Sequence, residues 1–271
     1  MMESKLNLTY QKKEPDLDAA DISLKKPSQV EDDSLHAQFK DGFVKGDAYE
    51  RPKTFVVIFS GGTVRERDYF RPITSCPDLF PNLRFEFYTE DRFGQDDYPL
   101  VFSMADAKVK EYRTSTTEDE PDRYFVLSDV DHFRKHIVAF APICKKEGIN
   151  LSVSNPCFEV WLYYSKKDDR FEGFVIPENE KEISKEVKSF LHNNAGGVNP
   201  RRAIFDIKKN IANARNNYEK DADGLPALFS TNVFVLAECL APLIADGLKS
   251  LLEQRLATAS MYKEIHEDRC E

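Results

Sequence analysis

The residues with the clearest chemical potential are Asp129 and Asp131, separated by one residue in SDVD. In an extended chain, side chains at i and i+2 point to the same side. Two carboxylates placed this way can bind a hard cation such as Mg²⁺, which takes oxygen ligands and leaves positions open for water or phosphate. The competing reading makes Asp131 the cap of a helix starting at His132. Glu159, in CFEVWL, is a candidate third carboxylate. It would equally serve as a helix-start acid, because negative charge is favoured at a helix N-terminus. Ser60-Gly61-Gly62, followed by Glu66, forms another cluster of this kind. His132 and His136 stand four apart in HFRKH, without the Glu of a zinc-protease HExxH helix, and read as surface residues. Cys157 has no His partner by spacing and reads as a small buried residue.

A second group is basic. Between Pro200 and Lys220 lie Arg201, Arg202, Lys208, Lys209, Arg215 and Lys220 against two acids, with asparagines interleaved. Ile204, Ile207 and Ile211 form the apolar stripe of this segment. The opposite face could follow a phosphate backbone or simply be a solvated helix face.

The elements that must position these residues follow from pattern. TFVVIFSGG (54–62) is a short β-branched and aromatic run stopped by glycines, which predicts a buried strand. Thr63 with Glu66 reads as a capping box opening a helix. Strands follow in 84–90, 123–131 and 149–156, and helices in 98–112 and 132–148. A helix starts at 156, with Pro156 in its first turn. Pro142 is expected to bend or shorten the 132–148 helix. This alternation predicts an α/β fold with a mostly parallel sheet and helices on both faces. From Asn179 onward the chain reads as helical. The expected organisation is a polar leader at 1–50, an α/β domain at 51–170, and a helical region at 171–271 packed on it.

Composition sets limits. The chain of 271 residues carries a formal charge of −9, with 41% hydrophobic residues. Residues 1–50 hold 7 Lys against 11 acids, so −4 of the total lies there. An acidic chain is not one that coats nucleic acid by charge alone. No window supplies the ~20 apolar residues of a membrane helix. Five scattered cysteines without CxxC support neither a disulfide framework nor a structural zinc site. The expectation is a soluble cytoplasmic protein in a reducing compartment.

SNPCFEVWL (154–162) resembles the signature of the RloB-like, or AbiLii-like, family of bacterial anti-phage proteins. SDVD falls where that family has its strand-end D-x-D. GGTVRERDYF (61–70) is similar to its E-G-x-x-T-E-x-x-Y-F segment. AIFDIKKNIANA and LPALFSTNVFVLAECL resemble its C-terminal helices. The likeness spans about residues 54–245. It implies a Toprim-like, Rossmann-like sheet and Mg²⁺- or Mn²⁺-dependent cleavage of RNA or DNA, with tRNA among the candidates. It also implies abortive infection controlled by a partner ATPase of the ABC or AAA type. Homo-oligomerisation stays open. By this match Asp129 and Asp131 are the metal ligands, and Glu66, Asp129, Asp131 and Glu159 the catalytic set. Arg201, Arg202, Lys208, Lys209 and Arg215 are the candidate nucleic-acid contacts. One departure stands out: the first acid of the family motif is Gly61 here, and Arg65 stands where the family has Thr. The alternative is therefore a catalytically degenerate scaffold or sensor. A strand followed by DVD also suggests a haloacid-dehalogenase-type phosphohydrolase with Asp129 as nucleophile, but two strands precede it and no downstream motifs follow.

Overall fold

Val56–Ser60 (β1) is buried on both sides, as its unbroken apolar sequence requires of an interior parallel strand. In the computed structural model, which describes residues 56–62, 64–88, 99–114, 122–131 and 133–267, β1 is the second strand of a four-stranded sheet. It pairs in parallel with Leu83–Phe87 (β2) on one side and Arg123–Asp129 (β3) on the other, and β3 pairs in parallel with Ile149–Ser154 (β4). The order is β2-β1-β3-β4. The expected strands are all present and all parallel, and the second is shorter than the sequence pattern indicates.

Alternation along the strands divides the core in two. Val56, Ile58, Phe125 and Leu127 face one side, where they meet Arg65–Thr74 (α1) and Glu159–Tyr163 (α4). Val57, Phe59, Tyr124 and Val126 face the other, beneath Leu100–Thr114 (α2) and Arg134–Lys146 (α3). Helices therefore cover both faces of a Toprim-like α/β sheet. The described helices that follow α4 pack on the α1 side, while the turn with Asp221, Asp223 and Leu225 reaches α3 on the other. These helices comprise Ile183–Asn194 (α5), Pro200–Ala203 (α6) continued by a 3₁₀ turn at Ile204–Asp206, Ile207–Asn216 (α7) and Val233–Glu267 (α8). Trp161, Val187, Ile204, Leu236, Leu240 and Ile244 are fully buried there in one apolar cluster with the sheet.

Several local expectations shift. α1 starts at Arg65 with Val64 at its N-cap and no side-chain cap; Thr63 lies outside the described residues. α3 starts after Phe133, so Asp131 does not cap it. Pro142 sits inside α3 without shortening it, because it and Val138, whose carbonyl loses its bond, are on the solvent side. α4 starts at Glu159, and Pro156 precedes it with a cis bond to Asn155.

The far edge of β4 is closed by the segment leading into α8. Asn232 Nδ2 donates to the Leu151 carbonyl at 2.9 Å, and the Asn232 side-chain oxygen accepts the Val153 N–H, so one side chain stands in for a neighbouring strand. Ser154 and Thr231 share a buried hydroxyl contact at 2.9 Å, and the Asn155 N–H donates to the Ser230 carbonyl at 3.0 Å. These bonds fix the turn that carries SNPCFE.

Candidate functional site

In an open parallel sheet, ligands gather at the carboxyl ends of the strands where the order reverses. Here that point lies between β1 and β3. Ser60 stands opposite Leu127, so β3 runs two residues further and puts Asp129 on the rim, opposite Ser154 of β4. The Asp131 N–H donates to the Pro156 carbonyl at 3.0 Å, and this bond ties the D-x-D segment to SNPCFE.

Glu66 and Glu159 are both buried beside this rim, at 5% and 3% exposure. Glu66 is the second residue of α1, yet its carboxyl folds back over Gly62, just past the end of β1. A β-carbon at Gly62 would lie 1.8 Å from the Glu66 carboxyl carbon. Gly62 is thus the residue that admits the carboxyl, and Glu66 reaches the strand end at which Gly61 supplies no acid. Burial pushes Glu66 up to about 7, and the nearby Glu159 carboxylate adds to this. Its own backbone N–H, Lys188 and Arg65 oppose the shift.

Two cations answer the acids. Arg65 Nε lies 3.4 Å from Glu159 Oε1. Lys188, on α5, lies within the field of Glu159, Asp129 and Asp131. Partial desolvation works against its charge, but those acids hold the ammonium above its ordinary value. Cys157 is buried, and burial together with Glu159 and Asp129 pushes its thiol well up, so it is not a thiolate. His136 packs against Phe133, and His132 lies outside the described residues.

The four predicted acids thus belong to one rim, with Arg65 and Lys188 among them. Neither cation was singled out in the sequence. Arg65 was visible only as a departure from the family pattern. Lys188 belongs to an ordinary amphipathic helix, with Val187 and Leu191 buried on the other face. Nothing in that spacing says what its polar side meets.

Asp129 and Asp131, on the one rim, are the oxygen ligands that would hold the metal implied by the family resemblance. Among the described residues no three His, Cys, Asp or Glu side chains are grouped to hold a metal ion. Glu159 is already paired with Arg65. Arg65 and Lys188 bring positive charge to the same rim.

The basic segment at 200–220 is arranged differently. Arg201 binds Asp68 of α1 at 2.8 and 3.0 Å, Arg215 is paired with Glu238 of α8, and Lys209 Nζ donates to the Lys166 carbonyl at 3.3 Å. Arg202 and Lys208 are exposed. Of the interleaved asparagines, Asn210, Asn213 and Asn217 bond to the protein and Asn216 is exposed. Asn213 Nδ2 donates to the Tyr164 and Lys167 carbonyls at 2.9 and 3.0 Å, and Asn210 Nδ2 reaches the Trp161 carbonyl at 3.4 Å. Asn217 Nδ2 donates to the Asp168 carbonyl at 2.8 Å. They satisfy the carbonyls that α4 and its following turn leave without helical partners.

No curated protein and no solved structure matches the chain significantly. Among the described residues no helix is long and apolar enough to cross a membrane. A family model described as "RloB-like protein" matches residues 56–240, which takes in the whole sheet, the acid rim and the first turns of α8. That match covers more than half of the chain, and with SNPCFE, SDVD and the Gly62–Glu66 turn placed on one sheet edge, the chain belongs to the RloB-like family.

Proposed function

We propose that this chain is an anti-phage defence effector that acts on phosphodiester bonds of RNA or DNA, under the control of a partner ATPase. The observation that carries the reading is the rim itself: Glu66, Asp129, Asp131 and Glu159 with Arg65 and Lys188 at the β1/β3 switch. Glu66 near 7 is suited to take and return a proton at physiological pH, since an acid–base group works best with a pKa close to the operating pH. Arg65 and Lys188 are suited to a phosphate, the first through its guanidinium fork and the second as a point charge. Asp129, Asp131 and Glu159 keep Lys188 charged and in place. No step is routed through a metal ion. Mg²⁺ or Mn²⁺ enters as a component of the assay, where a phosphate-bound ion could accompany the substrate.

The test is cleavage of tRNA, other RNA and DNA by the purified chain with its ATPase partner, with and without Mg²⁺ or Mn²⁺. Glu66→Gln and the double change Asp129→Ala/Asp131→Ala should each abolish cleavage. Activity untouched by either variant sinks the reading.

A second reading is favoured by one feature, the glycine at position 61 in place of the family's acid. It makes the chain a scaffold or sensor of the same fold. It predicts retained partner binding and no cleavage under any divalent metal. Cleavage by the wild type that depends on Glu66 excludes it.

A further inference from the structure

Next to the acid rim lies an open cleft of about 740 Å³. Its walls are Arg65 and Asp131 from the rim, Lys181, and one face of α5 carrying Lys185, Lys188 and His192. Ser184, Ser189 and Asn193 lie among them. Three lysines, an arginine and a histidine face one acid across the gap. This is a concentrated positive surface on a chain whose net charge is −9. Among the described residues these lysines form no salt bridge, in contrast to Arg201 and Arg215. Glu182, just before this helix, and Glu186 on it do not line the cleft. The polar groups between the cations are hydroxyls and an amide, which are short hydrogen-bonding partners for phosphate and sugar oxygens. Because Lys188 belongs to both the cleft and the rim, a backbone laid along α5 would lead one phosphate to Glu66 and Arg65.

We infer that the α5 cleft is the binding groove for the phosphate backbone of a single-stranded polynucleotide, with Lys181, Lys185 and Lys188 as the successive contacts. The inference rests on the reading of the rim as a phosphodiester-acting site, and it relocates recognition from the 200–220 segment to α5. Free phosphate shares the chemistry, but a groove with cations spaced along two turns of helix suits a chain of phosphates better than one.

The experiment is a titration of labelled single-stranded RNA and DNA, about 12 nucleotides long to fill one such site. The full-length chain is used in EDTA at several salt concentrations. Wild type should bind. Lys181→Ala/Lys185→Ala/Lys188→Ala should weaken binding about tenfold or more. It should also lower the slope of log Kd against log salt by about 2, at about 0.7 per neutralised phosphate on a single strand. The corresponding triple Lys→Arg variant should restore affinity, which separates lost charge from lost folding. Lys208→Ala/Lys209→Ala should leave affinity within about twofold, because those residues lie outside the groove. Equal binding by the triple Ala variant and wild type overturns the inference. So does loss of binding in Lys208→Ala/Lys209→Ala alone, or inorganic phosphate competing as tightly per site as the oligonucleotide. If no variant or condition gives cleavage but lysine-dependent binding persists, the proposed reaction fails and the groove stands.

Discussion

Two helices of this protein carry basic residues beside α4, and they use them in opposite ways. On α7 and the turn before it, the charges are turned onto the protein's own surface: Arg201 to Asp68, Arg215 to Glu238, Lys209 to a carbonyl. The asparagines between them finish α4. On α5, Lys185 and Lys188 stand with Lys181 along an open cleft that ends at four carboxylates. The denser cluster in sequence is the more structural one. Local charge density identifies a polar helix face, but the neighbouring elements decide whether that face meets protein or solvent.

The contrast can be broken at its strongest point first. Asn213→Leu removes two hydrogen bonds from buried carbonyls of Tyr164 and Lys167 and should cost about 2–4 kcal/mol in urea unfolding. Polynucleotide affinity at 25 °C should stay unchanged while the variant remains folded. A drop in affinity without loss of stability would return α7 to the binding surface.

The corresponding structural lesion on the α5 side is Gly62→Ala. The added methyl would lie on the Glu66 carboxyl and force it off the strand end. The cost in stability should be about 1 kcal/mol or less, because only the far end of a flexible side chain has to move, but the change should abolish any Glu66-dependent reaction. Full activity in Gly62→Ala would mean that the observed place of Glu66 is not the working one.

Lys188→Ala should give a smaller, directional effect. Lys188 lowers the Glu66 pKa, so its loss should raise Glu66 further above about 7. The folded state holds the Glu66 proton more tightly than the unfolded chain. The stability this gives is full below about pH 4.5, the ordinary value, and is lost as pH rises through about 7. In Lys188→Ala that decline should extend to higher pH; in Glu66→Gln it should vanish from the window. Stability measured across pH 4 to 9 checks both, and an unchanged profile in both variants would remove Glu66 as the titrating group.

The least effect belongs to Arg201→Ala, which breaks a half-exposed pair with Asp68. A cost of about 0.2–1 kcal/mol in thermal or urea unfolding is expected, with binding unchanged.

The four strands and the order of helices among them were legible in the sequence because each signal is local. Val56–Phe59 is apolar throughout, and a strand buried on both faces needs nothing else to declare itself. The acids Asp129, Asp131, Glu66 and Glu159 were legible as candidates because they stand at the ends of such runs, and the family motifs marked the same positions. The helix starts at Arg65, one residue later than the capping pattern indicates, and Glu66 turns back onto Gly62. Helix α3 tolerated Pro142 because its outer side is wet, which the sequence does not record.

The amino-acid sequence by itself determined the class of fold, the membership of the family and the acids at the sheet's edge, because strand periodicity and short motifs are properties of neighbouring residues. Only the tertiary structure decided that Lys188, far from SDVD in the chain, stands beside it, and that the asparagines of α7 close a helix end. Those facts depend on which surfaces the apolar stripes of α5 and α7 bury, and a stripe specifies that a face is covered without naming what covers it.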